Sequence, residues 1–158
     1  MSKERSLANL QQALSMELTA MHQYQLHGGV LDDWGLSLLA DKMREEMAEE
    51  TGHSTEFMNR VLFLKGAPEL KFAKQPVLAK SLQEMFELDL ADEREAIDFY
   101  TQASLQAAED ADLGTRALFE KIALGEEEHM AWLELQLDLL RRIGEPAYIS
   151  KHMSDPGE

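Results

Sequence analysis

No cysteine occurs among the 158 residues, which excludes a disulfide framework and any thiolate metal site. Proline appears four times and glycine nine, and no two alternating apolar runs are joined by a tight-turn dipeptide, so hairpin-based β architectures have little to build on. Positive charge is scarce as well: 15 Lys and Arg stand against 30 Asp and Glu, for a net charge of −15. Phosphate backbones and anionic lipid repel a chain of that sign, which excludes nucleic acid and membrane surfaces as partners and favours cations. No apolar run approaches the length that crosses a bilayer, and the stretch from Met1 to Ser6 lacks an apolar leader core. The expected location is the cytoplasm.

What is present is helical. Alanine, leucine, glutamate, lysine and methionine dominate, and the length suits one domain, here 1–158. Four segments carry apolar residues at alternating three- and four-residue spacing, the seam of an antiparallel bundle spanning about 4–144. The first runs through Leu7, Leu10, Leu14, Glu17, Met21, Tyr24 and Gly28. The second runs from Leu36 through Met43, Glu46 or Met47, Glu50 and Phe57 to Leu64, and the third from Leu78 through Phe86, Leu90 or Asp89, Glu93 and Tyr100. The fourth contains Phe119, Ile122, Glu126, His129, Leu133 and Leu140. Asp32-Asp33-Trp34-Gly35 and Asp110-Ala111-Asp112-Leu113-Gly114 read as short connections, each joining an antiparallel pair. Lys65-Gly66-Ala67-Pro68 ends the second helix, and the extended stretch through Gln75-Pro76 is long enough to run the length of the bundle. Gly144 and Pro146 predict a break and a short fifth helix over about 146–153, with a frayed tail from Ser154.

Four glutamates interrupt these stripes in a regular way. Glu17 maps onto Glu93, Tyr24 onto Tyr100, Glu50 onto Glu126 and His53 onto His129, each pair 76 positions apart. One Glu-x-x-His in a Glu-rich chain is weak evidence, but two of them at the offset that also matches a lone Glu and a Tyr make a pattern with approximate two-fold symmetry. Burying one unpaired carboxylate costs several kcal/mol, so four at mid-bundle require protonation or neutralisation. Two divalent ions supply +4 against −4, with both imidazoles neutral as ligands. The i,i+3 spacing puts each Glu and its His on one helical face. A carboxylate-rich, thiolate-free dinuclear site suits iron or manganese; zinc binds well but offers no redox chemistry. Tyr24 and Tyr100 lie two turns from Glu17 and Glu93, placed to hydrogen-bond a ligand carboxylate, donate an electron, or simply pack in the core. His22 and His27 have no ligand partner at helical spacing and read as surface or interface residues. Glu45, Glu46 and Glu49 read as a solvated acidic face, or as a guide for incoming cations.

Several motifs resemble the bacterioferritins. They are Met16-Glu17-Leu18 with Gln23-Tyr24, Asp33-Trp34-Gly35-Leu36, Arg60 through Gly66, and Glu126-Glu127-Glu128-His129 with Trp132-Leu133-Glu134. One Glu from each of two helices with a Glu-x-x-His from each of the others is the arrangement recognised in ferritin-like di-metal carboxylate proteins. The resemblance covers essentially the whole chain. It implies an all-α, ferritin-like four-helix bundle with a long crossover between helices two and three and a short C-terminal fifth helix. It further implies a cage of about 24 subunits with cubic symmetry, and a ferroxidase that oxidises Fe²⁺ with O₂ or H₂O₂ and stores the ferric product. By the same resemblance the di-iron ligands are Glu17, Glu50, His53, Glu93, Glu126 and His129, with Glu50 and Glu126 bridging, and Glu17 and Glu93 are taken as terminal ligands.

One position departs from that family. Haem-binding bacterioferritins carry a methionine directly after the Glu of the first Glu-x-x-His, one from each of two subunits ligating the haem iron. Here the position is Thr51, a poor substitute for a thioether, and Met47 lies a helical turn away, about 6 Å along the axis. Haem b is therefore not expected as a cofactor of this chain alone, which leaves a homopolymer or a mixed cage with a haem-binding subunit. A rubrerythrin-like di-iron peroxidase and a purely structural cage subunit are the competing readings. The absence of cysteine excludes an appended rubredoxin domain, and the intact ligand set argues against a structural subunit.

Overall fold

The computed structural model describes residues 3–153, which form helices and connections with no strand among them. The expected frayed tail, Ser154 to Glu158, lies outside the described residues. Four long helices are present: α1 Lys3–Asp33, α2 Ser37–Phe63, α3 Leu82–Glu109 and α4 Leu113–Ile143, followed by the short α5 Glu145–Ser150. The two short connections form hairpins in which α1 packs on α2 and α3 on α4, and the hairpins meet through α1 with α3 and α2 with α4. Gly35 and Gly144, both at φ 79°, supply the left-handed backbone that the α1–α2 and α4–α5 breaks need.

The crossover is an ordered strap. Glu69 N donates to Gln11 Oε1, Ala73 N to Thr19 Oγ1, and Val77 N to Gln23 Oε1, so residues 69–77 climb α1 from its first third to its last. At the far end of α3, Arg5 pairs with Asp110 at 2.8 Å. Hence α3 runs antiparallel to α1 and parallel to α2, as the length of the connection predicts.

Two boundaries differ from the sequence reading. The apolar spacing predicts a third helix from Leu78, but Leu78 is exposed in the crossover. The helix begins at Leu82 because the Ser81 hydroxyl accepts from Glu84 N at 3.1 Å, a side-chain cap that fixes the first turn. The fifth helix spans Glu145–Ser150 rather than 146–153 and gives way to a turn at Lys151.

The apolar core is split. Leu10, Leu14, Phe57, Val61, Phe119 and Ile122 pack toward one end of the bundle. Leu31, Leu39, Met43, Met85, Phe86 and Leu133 pack toward the other, closed by Tyr148 of α5. Between these two plugs the stripes carry glutamates where aliphatic side chains would continue the core. Each plug closes one end of the polar middle, so the central section is a polar layer between two apolar ones.

Candidate metal centre

Each long helix brings one glutamate to that compartment. Glu17, Glu50 and Glu126 are each 1% exposed and Glu93 4%, so none of the four reaches bulk water. Glu17 and Glu93 come singly from α1 and α3. Glu50 with His53, and Glu126 with His129, come from α2 and α4 as i,i+3 pairs on one face. The ligand-capable atoms fall into two overlapping groups, Glu17–Glu50–His53–Glu126 and Glu50–Glu93–Glu126–His129, each spanning no more than 4.8 Å. Glu50 and Glu126 are common to both. The six residues expected from the sequence therefore converge, with the two glutamates of the Glu-x-x-His motifs placed to bridge.

Both imidazoles aim Nδ1 inward. His53 Nδ1 lies 2.9 Å from Glu126, 3.6 Å from Glu50 and 3.8 Å from Glu17. His129 Nδ1 lies 3.3 Å from Glu50, 3.3 Å from Glu126 and 3.6 Å from Glu93. The single glutamates are held from behind by crossed tyrosines. Tyr24 of α1 donates to Glu93 of α3 at 2.5 Å, and Tyr100 of α3 donates to Glu17 of α1 at 2.6 Å. Two of the readings open for these tyrosines are present together: each hydroxyl bonds a carboxylate, and each ring packs in the apolar core, Tyr100 against Phe57 and Phe119.

Most of the remaining ligand capacity makes no hydrogen bond within the protein. Among the described residues nine buried side-chain oxygen and nitrogen atoms lack a hydrogen bond, and seven belong to these six side chains: Glu17 Oε2, Glu50 Oε1, His53 Nδ1, Glu93 Oε2, both Glu126 oxygens and His129 Nδ1. Such groups are rare in folded proteins because each costs its full desolvation. Here they all face one space, and oxygens with imidazole nitrogens are the donor set of hard to borderline divalent cations. The residues fit a pair of such ions.

The electrostatics agree. Burial first, then the charge of Glu17 and Glu126, pushes Glu50 well above the ordinary carboxylate range. Burial, then Glu126, does the same to Glu93. Burial works against a charged His53, but the carboxylates of Glu126 and Glu17 outweigh it and hold the imidazole up at about 10. His129 is raised further by Glu126, Glu46, Glu50 and Glu93, against the opposing effect of burial. Without metal, the cluster balances its charge by retaining protons.

Two features were not readable from the repeat. His129 Nε2 faces Glu49 at 2.7 Å and Glu46 at 2.5 Å, while Glu46 is buried and tied to Lys42 at 2.9 Å. Glu46 is therefore not part of a solvated face; only Glu45 and Glu49 are exposed. The positions related to Glu46 and Glu49 by the 76-residue offset are Ile122 and Gly125. His53 Nε2 looks toward Gly125, where even an added Cβ would stand 3.9 Å away. The two imidazoles thus differ: carboxylates orient one from outside, and the other is not so held. The second feature is His27, which helical spacing assigns to the surface. It is instead fully buried, 2.8 Å from Gln23 Nε2 and 3.0 Å from Asp89 on α3. Its carboxylate partner is 62 positions away, beyond the reach of helical spacing. His22 is partly exposed and packs edge-on against Phe72. The Thr51 hydroxyl donates back to Met47 O at 2.7 Å, and Met47 is packed against the apolar core.

The family model for a ferritin-like domain matches residues 7–143. A bacterioferritin of Rhodobacter capsulatus is 39% identical over 135 residues, covering 85% of this chain and 84% of that protein. One from Brucella melitensis is 37% identical over 142 residues, covering 90% and 88%. A solved structure of the Rhodobacter capsulatus bacterioferritin superposes with a TM-score of 0.96 at 34% identity, covering 100% of this chain and 99% of that one. That structure is described as having a metal-free dinuclear site and haem iron in a crystallographic special position.

Divalent ions must displace the retained protons. Loading the apo protein with Co²⁺ at about pH 7 is expected to release protons, and apparent affinity is expected to weaken as pH falls from about 8 to about 6. Calorimetry in two buffers of different ionisation enthalpy reads the proton count; a count of zero at neutral pH would contradict this charge balance.

Proposed function

We propose, for a chain that belongs to the bacterioferritins of the ferritin-like family, that iron storage is coupled to ferroxidase activity at the Glu17–Glu50–His53–Glu93–Glu126–His129 cluster. The observation that carries this reading is the convergence of seven buried, unbonded ligand atoms from those six side chains between two apolar plugs. Fe²⁺ is the substrate. One ion is held by Glu17 and His53 and the other by Glu93 and His129, with Glu50 and Glu126 shared between them. Placing both ions in one compartment lets a two-electron oxidant react with two one-electron donors at once. With H₂O₂, two Fe²⁺ and two protons give two Fe³⁺ and two waters; with O₂, two Fe²⁺ and two protons give two Fe³⁺ and H₂O₂.

The protein's share of the work is positioning and charge. Ionised glutamates offset the charge that accumulates as iron passes from +2 to +3, which favours oxidation. Tyr24 and Tyr100 fix Glu93 and Glu17 by hydrogen bonds while leaving the second oxygen of each free for the ion. The plugs exclude bulk water from both ends. Ferric product leaves for storage inside an assembly of many copies, which we take to be the cubic cage of about 24 subunits, alone or mixed with a second subunit type. A cytoplasmic setting accords with the absence, among the described residues, of any helix able to cross a membrane.

Haem does not fit this chain's residues at the position where haem-binding bacterioferritins present methionine. Thr51 has no sulfur and its hydroxyl is engaged by Met47 O, and Met47 is packed inward. A homopolymer reconstituted with haem b is expected to show no bis-methionine absorption spectrum, and the appearance of that spectrum would overturn this reading.

Replacing Glu93 with Ala removes a terminal ligand and the acceptor of Tyr24. Fast aerobic Fe²⁺ oxidation is expected to fall by about a hundredfold or more, toward the buffer rate, with assembly intact by size-exclusion chromatography. Stopped-flow absorbance of the ferric product measures it, and wild-type kinetics in this variant would refute the ligand assignment.

A further inference from the structure

Gln23, His27 and Asp89 form a buried polar chain that the metal cluster does not use. Val77 N donates to Gln23 Oε1 at 2.8 Å and Val77 O accepts from Gln23 Nε2 at 2.9 Å, which fixes the orientation of the amide. The second Nε2 hydrogen is therefore the one shared with His27 Nε2, 2.8 Å away, and that ring nitrogen accepts. The ring hydrogen is then on Nδ1, which donates to Asp89 Oδ2 at 3.0 Å. His27 is held as the neutral imidazole, because a proton on Nε2 would break the bond from Gln23. Asp89 is left as a buried carboxylate opposite an uncharged partner. Glu46, the other buried acid outside the six candidate ligands among the described residues, has Lys42 at 2.9 Å. The only ion-pair partner of Asp89 among the described residues is that histidine. Burial pushes the Asp89 carboxyl up, and the bond it accepts from His27 opposes this by favouring the charged form.

The other half of the bundle has no such chain. The 76-residue offset relates Gln23 to Phe99, His27 to Ala103 and Asp89 to Ala13, and all three counterparts belong to an apolar plug. Packing is thus satisfied at these positions without polar side chains, so the bundle itself does not demand the buried acid. Asp89 stands one helical turn before Glu93 on α3, about 6 Å along the axis, and borders the same cavity as Glu93 and Tyr24. We infer that Asp89 is a non-ligating anion that makes the Glu93–His129 half the tighter of the two cation sites, so that this half fills first. The inference rests on the metal-site reading above and adds the order of loading and the residue that sets it. A buried charge at that range attracts a divalent ion with little screening by salt, and Ala13 gives the Glu17–His53 half nothing equivalent. His27 supplies the hydrogen bond that keeps the acid in place without adding a positive charge that would cancel it.

The test reads binding, with no oxidant present. Apo crystals soaked with about one Co²⁺ per subunit are expected to show anomalous density mainly between Glu93 and His129, and calorimetric titration of the apo assembly to show two unequal steps. Asp89→Asn removes the charge while its side-chain oxygen can still accept from His27 Nδ1, which separates charge from shape. It is expected to weaken the first step about tenfold, to leave the second within about twofold, and to spread the density over both halves. Asp89→Glu, which keeps the charge, should stay close to wild type. First occupancy at Glu17 and His53, or equal occupancy of the two halves in the wild type, would overturn the inference whatever the variants do. Unchanged steps in Asp89→Asn would overturn the part given to Asp89. A wild type that binds no Co²⁺ in either half would instead remove the metal site on which the inference rests.

Discussion

Mutual repulsion among Glu17, Glu50, Glu93 and Glu126 is the constraint around which this bundle is organised. Two carboxylates about 4 Å apart repel by roughly 4 kcal/mol at the effective dielectric of a protein, and each also loses its hydration. An all-aliphatic stripe would avoid both costs. The chain instead keeps the four acids in the middle of its seam and supplies partial remedies. Two imidazoles are drawn into the charged form, two acids retain protons, and two tyrosines donate to the single glutamates. None of these saturates the cluster, since seven ligand atoms stay without a hydrogen bond. The cluster is left electrostatically unsatisfied, and that is what makes it favour cations.

The surrounding structure follows from that compromise. Apolar plugs on either side exclude water, which strengthens every interaction with a bound cation. The crossed tyrosines link α1 to α3 through the acids themselves, so the hairpins are joined at the site as well as around it. The pairing of His129 with Glu46 and Glu49, against His53 beside Gly125, makes a nearly two-fold site chemically unequal. Metal loading and ligand movement need not be equivalent at its two halves.

Much of this was legible in the sequence because its signals are periodic. Helical stripes repeat every three or four residues, and the 76-residue offset aligns the six candidate ligands and both tyrosines without reference to any other protein. Illegible parts depend on contacts that no period encodes. Leu78 continues the apolar spacing, yet the Ser81 cap decides where α3 begins. His27 lacks a ligand partner at helical spacing, but Asp89 arrives from another helix and pairs with it. Glu46 shares the stripe position with Met47, and only the location of His129 selects the acid.

The central claim is that these six side chains hold two divalent cations at once. Anomalous diffraction at the iron edge from crystals soaked anaerobically in Fe²⁺ tests it most directly. The account predicts two peaks per subunit, about 3.5–4 Å apart, one between Glu17 and His53, the other between Glu93 and His129, with Glu50 and Glu126 spanning both. A single peak, or none within the cluster, would contradict it.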